Sequence, residues 1–221
     1  MRALCLLAFP IALALASCAT APATSGADER FKAHAAQVLE EMWAEFPDFG
    51  IRNGYYKYAD RMNVLDAAQR DRTKAFYQRQ LAALAQFEPS SLDASHRIEL
   101  VIMKGRFERS LFELETFRSW QWQPSTYNVA NEIDLLVTTE YAPLDTRLRH
   151  VMARLERIPA YYAAATANIA DPTVEHTQLA ILQNKGALTV LGPELAKKAD
   201  ASGLSGLTSR RTITSTSRGP R

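Results

Sequence analysis

The fold is decided most clearly by the stretch PLDTRLRHVMARLERIP, which covers residues 143–159. Its apolar side chains recur three and four positions apart, at Leu144, Leu148, Val151, Met152 and Leu155. This spacing places them on one face of an α-helix. Pro159 must end or kink that helix, because proline lacks the backbone N–H that the next turn requires.

The same periodicity extends outward from this stretch in both directions. It predicts helices over residues 31–46, 66–87, 93–118, 128–138, 160–170 and 172–191, the last capped by Asp171 and opened by Pro172. Residues 47–58 contain Gly, Asn-Gly and three tyrosines, which favours an ordered loop with packed aromatic rings. Because period-two alternation is absent, we predict an all-α bundle of about six to eight helices.

The predicted helix over residues 93–118 is apolar on two faces. One face carries Ile98, Ile102 and Phe112, and the other carries Leu100, Met103, Phe107, Leu111 and Leu114. Such a helix needs packing partners on two sides, so we expect it to be central. A surface awaiting a missing partner is the alternative.

The N-terminus has the pattern of an export signal over residues 1–17, with a basic start and a short apolar core. Leu15-Ala16-Ser17-Cys18 resembles the lipobox of bacterial lipoproteins, in which the cysteine becomes the acylated N-terminus. Residues 18–27 then form a lipidated tether that holds the chain on the membrane. Ala19 favours the outer membrane, facing the periplasm, whereas an ordinary cleaved signal would give a soluble periplasmic protein.

The cysteine count, the composition and the charge limit what the rest of the chain can be. Cys5 lies inside the signal, so cleavage leaves only Cys18 and no internal disulfide. Residues 28–200 are predicted as one helical domain and residues 201–221 as a disordered basic tail, with out-of-frame translation of the tail as the alternative. The tail holds four arginines and no acid, and without them the formal net charge of +2 becomes −2. This balance gives no indication of a nucleic-acid partner.

Few side chains are candidates for catalysis or metal binding. The four histidines, His34, His96, His150 and His176, do not pair at metal-ligand spacing, and HExxH is absent. Asp93, His96 and Glu99 share a spacing that could face one ion, although a capping aspartate explains it more simply. Glu40, Glu41, Glu113 and Glu115 are interpreted as solvated acidic positions. The residues therefore predict no catalytic site, no metal site and no cofactor.

Several short motifs, in order, carry a family resemblance. They are Trp43, Phe46-Pro47, Gly50, Gly54, residues 120–128 (WQWQPSTYN), Arg147, residues 153–159 (ARLERIP), Asn168, residues 176–180 (HTQLA) and residues 183–186 (QNKG). Over about residues 31–191 the sequence resembles the bacterial family called domain of unknown function 885. The resemblance implies a helical, often lipid-anchored protein, longer than this chain and similar to zinc peptidases of the carboxypeptidase type.

The resemblance also implies where the chemistry of full-length relatives lies. Their HExxH-type helix is in the C-terminal half, and this sequence ends before it, so zinc and a peptide substrate are implied only for those relatives. We therefore expect the N-terminal part of a lipid-anchored, metallopeptidase-like protein that is catalytically incomplete, or a split enzyme completed by another chain. The alternative is a non-enzymatic helical lipoprotein that binds a cell-envelope partner through its Tyr-rich loop and Trp120/Trp122.

Overall fold

A computed structural model describes residues 26–202, and this part of the chain is all-α, as predicted. The helices are α1 (Gly26–Glu45), α2 (Pro47–Arg52), α3 (Ala67–Leu84), α4 (Ala94–Phe112), α5 (Ser119–Trp122), α6 (Ala130–Thr138), α7 (Leu144–Leu155), α8 (Ile158–Asn168), α9 (Val174–Thr189) and α10 (Leu195–Ser202). Cys18 and the basic tail lie outside the described residues. Within them, no helix is long and apolar enough to cross a membrane.

Side-chain caps fix two helix starts. Asp66 accepts a hydrogen bond from the Gln69 N–H at 2.8 Å, and Asp93 accepts one from the His96 N–H at 2.8 Å, so α3 and α4 begin where predicted. The predicted cap of α9 is wrong. That helix begins at Val174 after Thr173, because the Asp171 N–H is bound by the Gln121 carbonyl at 3.3 Å.

Two apolar clusters form the core. The first lies between α1, α3 and α4 and is centred on Phe31, Val38, Phe76, Leu84, Leu100 and Phe107. The second lies between α2, α6, α7 and α8 and is centred on Ile51, Ile133, Leu136, Leu148, Val151 and Tyr161. The periodic apolar residues of α7 thus bury themselves as the sequence predicts.

A buried ion pair joins α7 to α2. The Arg154 side chain is 1% exposed and donates to the Asp48 carboxylate and to the Arg61 carbonyl. A buried guanidinium is tolerated when a carboxylate and hydrogen bonds compensate its charge. This pair therefore fixes α2, the helix that occupies the first part of the predicted loop over residues 47–58.

Glu40 fastens the rest of that loop to α1. It accepts hydrogen bonds from Tyr55 at 2.6 Å and from Tyr58 at 2.7 Å, and it forms an ion pair with Lys57. These donors lower the pKa of Glu40 to about 2, the Lys57 bond contributing most. The interpretation of Glu40 as a merely solvated acid was wrong. Tyr56, meanwhile, stacks on a ring of another segment, as expected for packed aromatics.

Two helices pass into π-helical turns instead of ending. After α4, residues 113–117 form a turn in which the Arg118 N–H donates to the Glu113 carbonyl at 2.9 Å. After α9, residues 190–194 do the same, so Gly192-Pro193 does not end the helical path and α10 follows directly. A π turn holds one extra residue and occurs frequently at functional sites.

Among residues 26–202, the expectation that α4 is covered on both sides was wrong. Its inner face is buried, whereas its outer face, formed by Ile98, Val101, Ile102 and Phe112, is exposed. Helix α9 also has an exposed outer face, formed by Val174, Ile181, Leu182 and Leu188. Val101 is 70% exposed and Leu182 is 67% exposed. Large apolar patches of this kind mark interaction surfaces.

Candidate functional site

A cleft lies between α3, α4 and the π turn. It consists of a larger chamber of about 750 Å³ and an adjoining smaller chamber of about 280 Å³. The larger chamber is lined by Thr73, Tyr77, Ile102, Gly105, Arg106, Arg109, Ser110, Glu113, Leu114, Ser119 and Trp120. The chambers share Thr73, Leu114, Ser119 and Trp120, so they lie side by side.

The π turn places Trp120 between the chambers. Arg118, which follows the turn, has φ 50° and ψ 43°, a left-handed conformation that is unfavourable for a residue with a Cβ atom. The Trp120 indole N–H donates to the Leu114 carbonyl at 3.1 Å, and the Arg70 guanidinium lies 3.9 Å from the indole ring centre. Arg70 is itself held by Asn168 at 2.7 Å. Trp120 is therefore fixed rather than free to rotate.

Cationic groups line the larger chamber. The Arg106 side chain borders this chamber and also a neighbouring cavity, where its guanidinium lies 4.7 Å from the ring centre of Phe49. Among residues 26–202, the Arg109 side chain forms no hydrogen bond or ion pair. Burial raises the pKa of the Tyr77 hydroxyl, opposed by a hydrogen bond from Ser110 and by the charge of Arg106. Tyr77 is therefore a neutral hydrogen-bond donor at neutral pH.

The smaller chamber exposes mainly apolar surface, although Arg70, Gln69 and Asn63 also line it. Aromatic and aliphatic walls are provided by Phe46, Leu65, Leu114, Trp120 and Tyr127. Tyr127 is buried, and its hydroxyl donates to the Trp120 carbonyl at 2.7 Å. The cleft thus combines an apolar recess with a cationic larger chamber, a combination typical of small-molecule sites.

His96 lies at a second cluster with Asp93, one of the two residues that the spacing suggested, and with Asp28 in place of Glu99. Nδ1 of His96 is 2.9 Å from Oδ1 of Asp28 and 3.3 Å from Oδ2 of Asp93. Asp28 also accepts the Asp93 N–H at 2.9 Å. The Asp28 hydrogen bond, with smaller help from Asp93, raises the pKa of His96. The cluster joins the start of α1 to the start of α4.

This cluster does not fit the zinc of an HExxH-type site. Asp28, Asp93 and His96 form the sole group of three ligand-type side chains close enough to share an ion among the described residues. It contains one imidazole, and the oxygens of both aspartates are used to cap α4 and to hold the ring. HExxH chemistry requires two imidazoles one helical turn apart. We therefore assign a structural role to these hydrogen bonds.

The other histidines are dispersed. His150 lies 2.9 Å from the Tyr141 hydroxyl, and His176 lies 2.6 Å from the Thr173 hydroxyl. His34 contacts an aromatic ring of the first core cluster. The structure therefore brings no two histidines together in the part of the chain that it describes.

Sequence reasoning did not identify the arginines of the cleft. Arg106 and Arg109 look like ordinary solvated positions of α4. Trp120 was noticed, but as part of a surface rather than as a wall between two chambers. The one available signal was the doubly apolar pattern of α4, which indicated that its outer side was unusual.

The fold and cleft are those of an all-α domain with an amphipathic cleft, and comparison with known proteins identifies the family. The family model described as bacterial protein of unknown function (DUF885) matches residues 47–217, so the chain belongs to this family. The match continues past residues 191–200, where we expected the resemblance to end.

A solved structure of a predicted lipoprotein of unknown function from Shewanella oneidensis is also similar. Its sequence is 40% identical, and its TM-score against this chain is 0.77. The similarity covers 80% of this chain and 32% of the Shewanella chain, so this chain spans about a third of the length of that relative. A search of curated proteins found no match.

Proposed function

We propose that this chain is an exported, lipid-anchored module of a DUF885 protein, which requires a further helical segment to function. In this proposal the module is attached through Cys18 to the outer membrane, facing the periplasm. It corresponds to the N-terminal part of a metallopeptidase-like protein and has no peptidase activity alone.

One observation carries the proposal: the outer faces of α4 and α9 present large apolar side chains to solvent. Helices of soluble domains normally bury such faces against other helices. The similarity covers 32% of the Shewanella chain, so about two thirds of that chain lies outside the matched part and provides a source for a covering segment. We infer that the occupant of both faces is a helical segment equivalent to this unmatched part.

The docking proposal is tested with the unmatched part of the Shewanella chain, produced separately and mixed with the purified chain. We expect a complex in size-exclusion chromatography and a fall in the fluorescence of a bound hydrophobic dye. Val101→Ser and Leu182→Ser should weaken the complex, because each places a hydroxyl in the apolar contact. Leu39→Ser is the matched control, since Leu39 is exposed on α1 outside both faces. No complex, or a complex that neither variant weakens, would refute docking on these faces.

The lipid anchor is tested by intact-mass measurement on protein extracted from membranes. We expect a mature chain that begins at acylated Cys18, and a Cys18→Ser variant that is released from the membrane fraction. An unmodified chain beginning elsewhere would instead support an ordinary cleaved signal.

Catalytic incompleteness is tested by metal analysis and by incubation with a mixed peptide library. We expect neither stoichiometric zinc nor cleavage, because the sequence lacks HExxH. Stoichiometric zinc and turnover that are both lost in His96→Ala would refute this and assign a metal role to Asp28, Asp93 and His96.

A further inference from the structure

We propose that the cleft binds an amphiphilic carboxylate. Its carboxylate group would lie against Arg106 and Arg109 in the larger chamber, and its apolar end would occupy the smaller chamber against Trp120. This inference goes beyond the docking proposal, and the two surfaces meet at Ile102, which lies on the outer face of α4 and also lines the larger chamber.

The positive charge of the larger chamber is only partly compensated. Arg106 and Arg109 are one turn apart on α4, and neither forms an ion pair among residues 26–202. Glu113 is the one carboxylate of the chamber lining, and Glu115, just beyond, is paired with Lys74. Two cations against one acid leave the chamber positive, and a planar guanidinium binds a carboxylate through two parallel hydrogen bonds.

A neutral donor extends the same site. The Tyr77 hydroxyl, which accepts a hydrogen bond from Ser110, lines the larger chamber beside the arginines. A hydroxyl that donates to a carboxylate adds a short hydrogen bond to the charged ones. The chamber therefore offers both charge and directional donors to an anion.

The smaller chamber selects the other end of the ligand. Its volume of about 280 Å³ and its walls of Phe46, Leu65, Trp120 and Tyr127 suit one aromatic or branched aliphatic group. Because Trp120 is already fixed by Arg70 and by the Leu114 carbonyl, little side-chain freedom is lost on binding. A small inorganic anion would leave this recess unused, which favours a ligand with an apolar end.

Two sources share this chemistry: the C-terminus of a peptide and a free aromatic acid. The probes are N-acetyl-Gly-Gly-Phe, its C-terminal amide and 3-phenylpropanoate, each titrated calorimetrically into the full purified chain. The acid and the amide differ only at the group that we place on the arginines. If 3-phenylpropanoate binds as tightly as the peptide acid, a free acid is sufficient. If it binds more weakly, the peptide backbone contributes.

We expect the peptide acid to bind and its amide to bind at least about tenfold more weakly, the effect of losing one charged hydrogen bond. Arg109→Gln should weaken the binding of the peptide acid by a similar factor and leave the binding of the amide unchanged. Lys104→Gln is the matched control, because Lys104 lies on α4 outside the cleft lining. Unchanged thermal unfolding of Arg109→Gln would verify that its fold is intact. Equal binding of acid and amide, no binding of the acid, or an acid affinity unaffected by Arg109→Gln would overturn the proposal.

Discussion

Neutralising Asp48 should destabilise the domain far more than neutralising an exposed carboxylate. The Arg154 side chain is 1% exposed, whereas that of Asp48 is 37% exposed. Breaking a fully buried ion pair costs about 3–5 kcal/mol, and breaking a surface pair costs about 0–1 kcal/mol. Solvent screens Asp48 in part, and the Arg61 carbonyl still accepts from Arg154. We therefore expect Asp48→Asn to lower the free energy of unfolding by about 2–3 kcal/mol.

The measurement is urea unfolding of the purified chain at neutral pH, followed by circular dichroism. The matched control is Asp145→Asn, because Asp145 pairs with Arg149 at 3.0 Å on the exposed side of α7. The control should lose less than about 1 kcal/mol, since exposed pairs one helical turn apart contribute little. If Asp48→Asn and Asp145→Asn lower the free energy of unfolding equally, burial of Arg154 does not make its ion pair more stabilising than an exposed one.

Three further predictions concern pH and a close backbone contact. The pKa of Glu40 is lowered from 4.5 to about 2, so its contribution to stability is present above pH 4.5 and lost as the pH falls toward 2. In Glu40→Gln the urea midpoint of unfolding should change less with pH across this range than in the native chain. If the two proteins show the same pH profile, the role of the three hydrogen-bond donors is refuted. The pKa of His96 is raised in the folded state, so its effect has the opposite pH dependence. Its contribution to stability is present below pH 6.5 and lost as the pH rises through the folded-state pKa. Thermal unfolding from pH 5.5 to 8.5 should decline more in the native chain than in His96→Gln, and parallel curves would contradict this. Gly50→Ala should destabilise the domain, because the new Cβ would lie 3.0 Å from a backbone oxygen. Gly186→Ala, whose Cβ would meet no atom within 4 Å, should stabilise the domain by up to about 1 kcal/mol in the same urea assay.

The parts of the fold that the sequence predicted well depend on local rules. The start of α7 follows from the apolar spacing that begins at Leu144, whereas its end at Leu155 comes before Pro159, which lies in the first turn of α8. The starts of α3 and α4 follow from Asp66 and Asp93, whose side chains cap the helix that they precede. Such signals are contained in a few consecutive residues, so a single sequence reveals them.

The parts that could not be predicted depend on long-range contacts. Asp28 and His96 are 68 positions apart, and no spacing rule connects them. Glu40 resembles any solvated acid until the loop folds back and supplies its donors. The cleft depends on a shift in hydrogen bonding after Phe112, which leaves no mark on apolar periodicity.

That shift makes the chamber sensitive to chain length. An α-helix turns by about 100° for each residue, so the additional residue of the π turn rotates everything after Phe112 about the axis of α4. Deleting one residue from positions 113–117 would restore regular α geometry and turn Trp120 away from the position where it now separates the two chambers. Members of the family with and without this residue should therefore differ in the shape of the recess while sharing the same buried core.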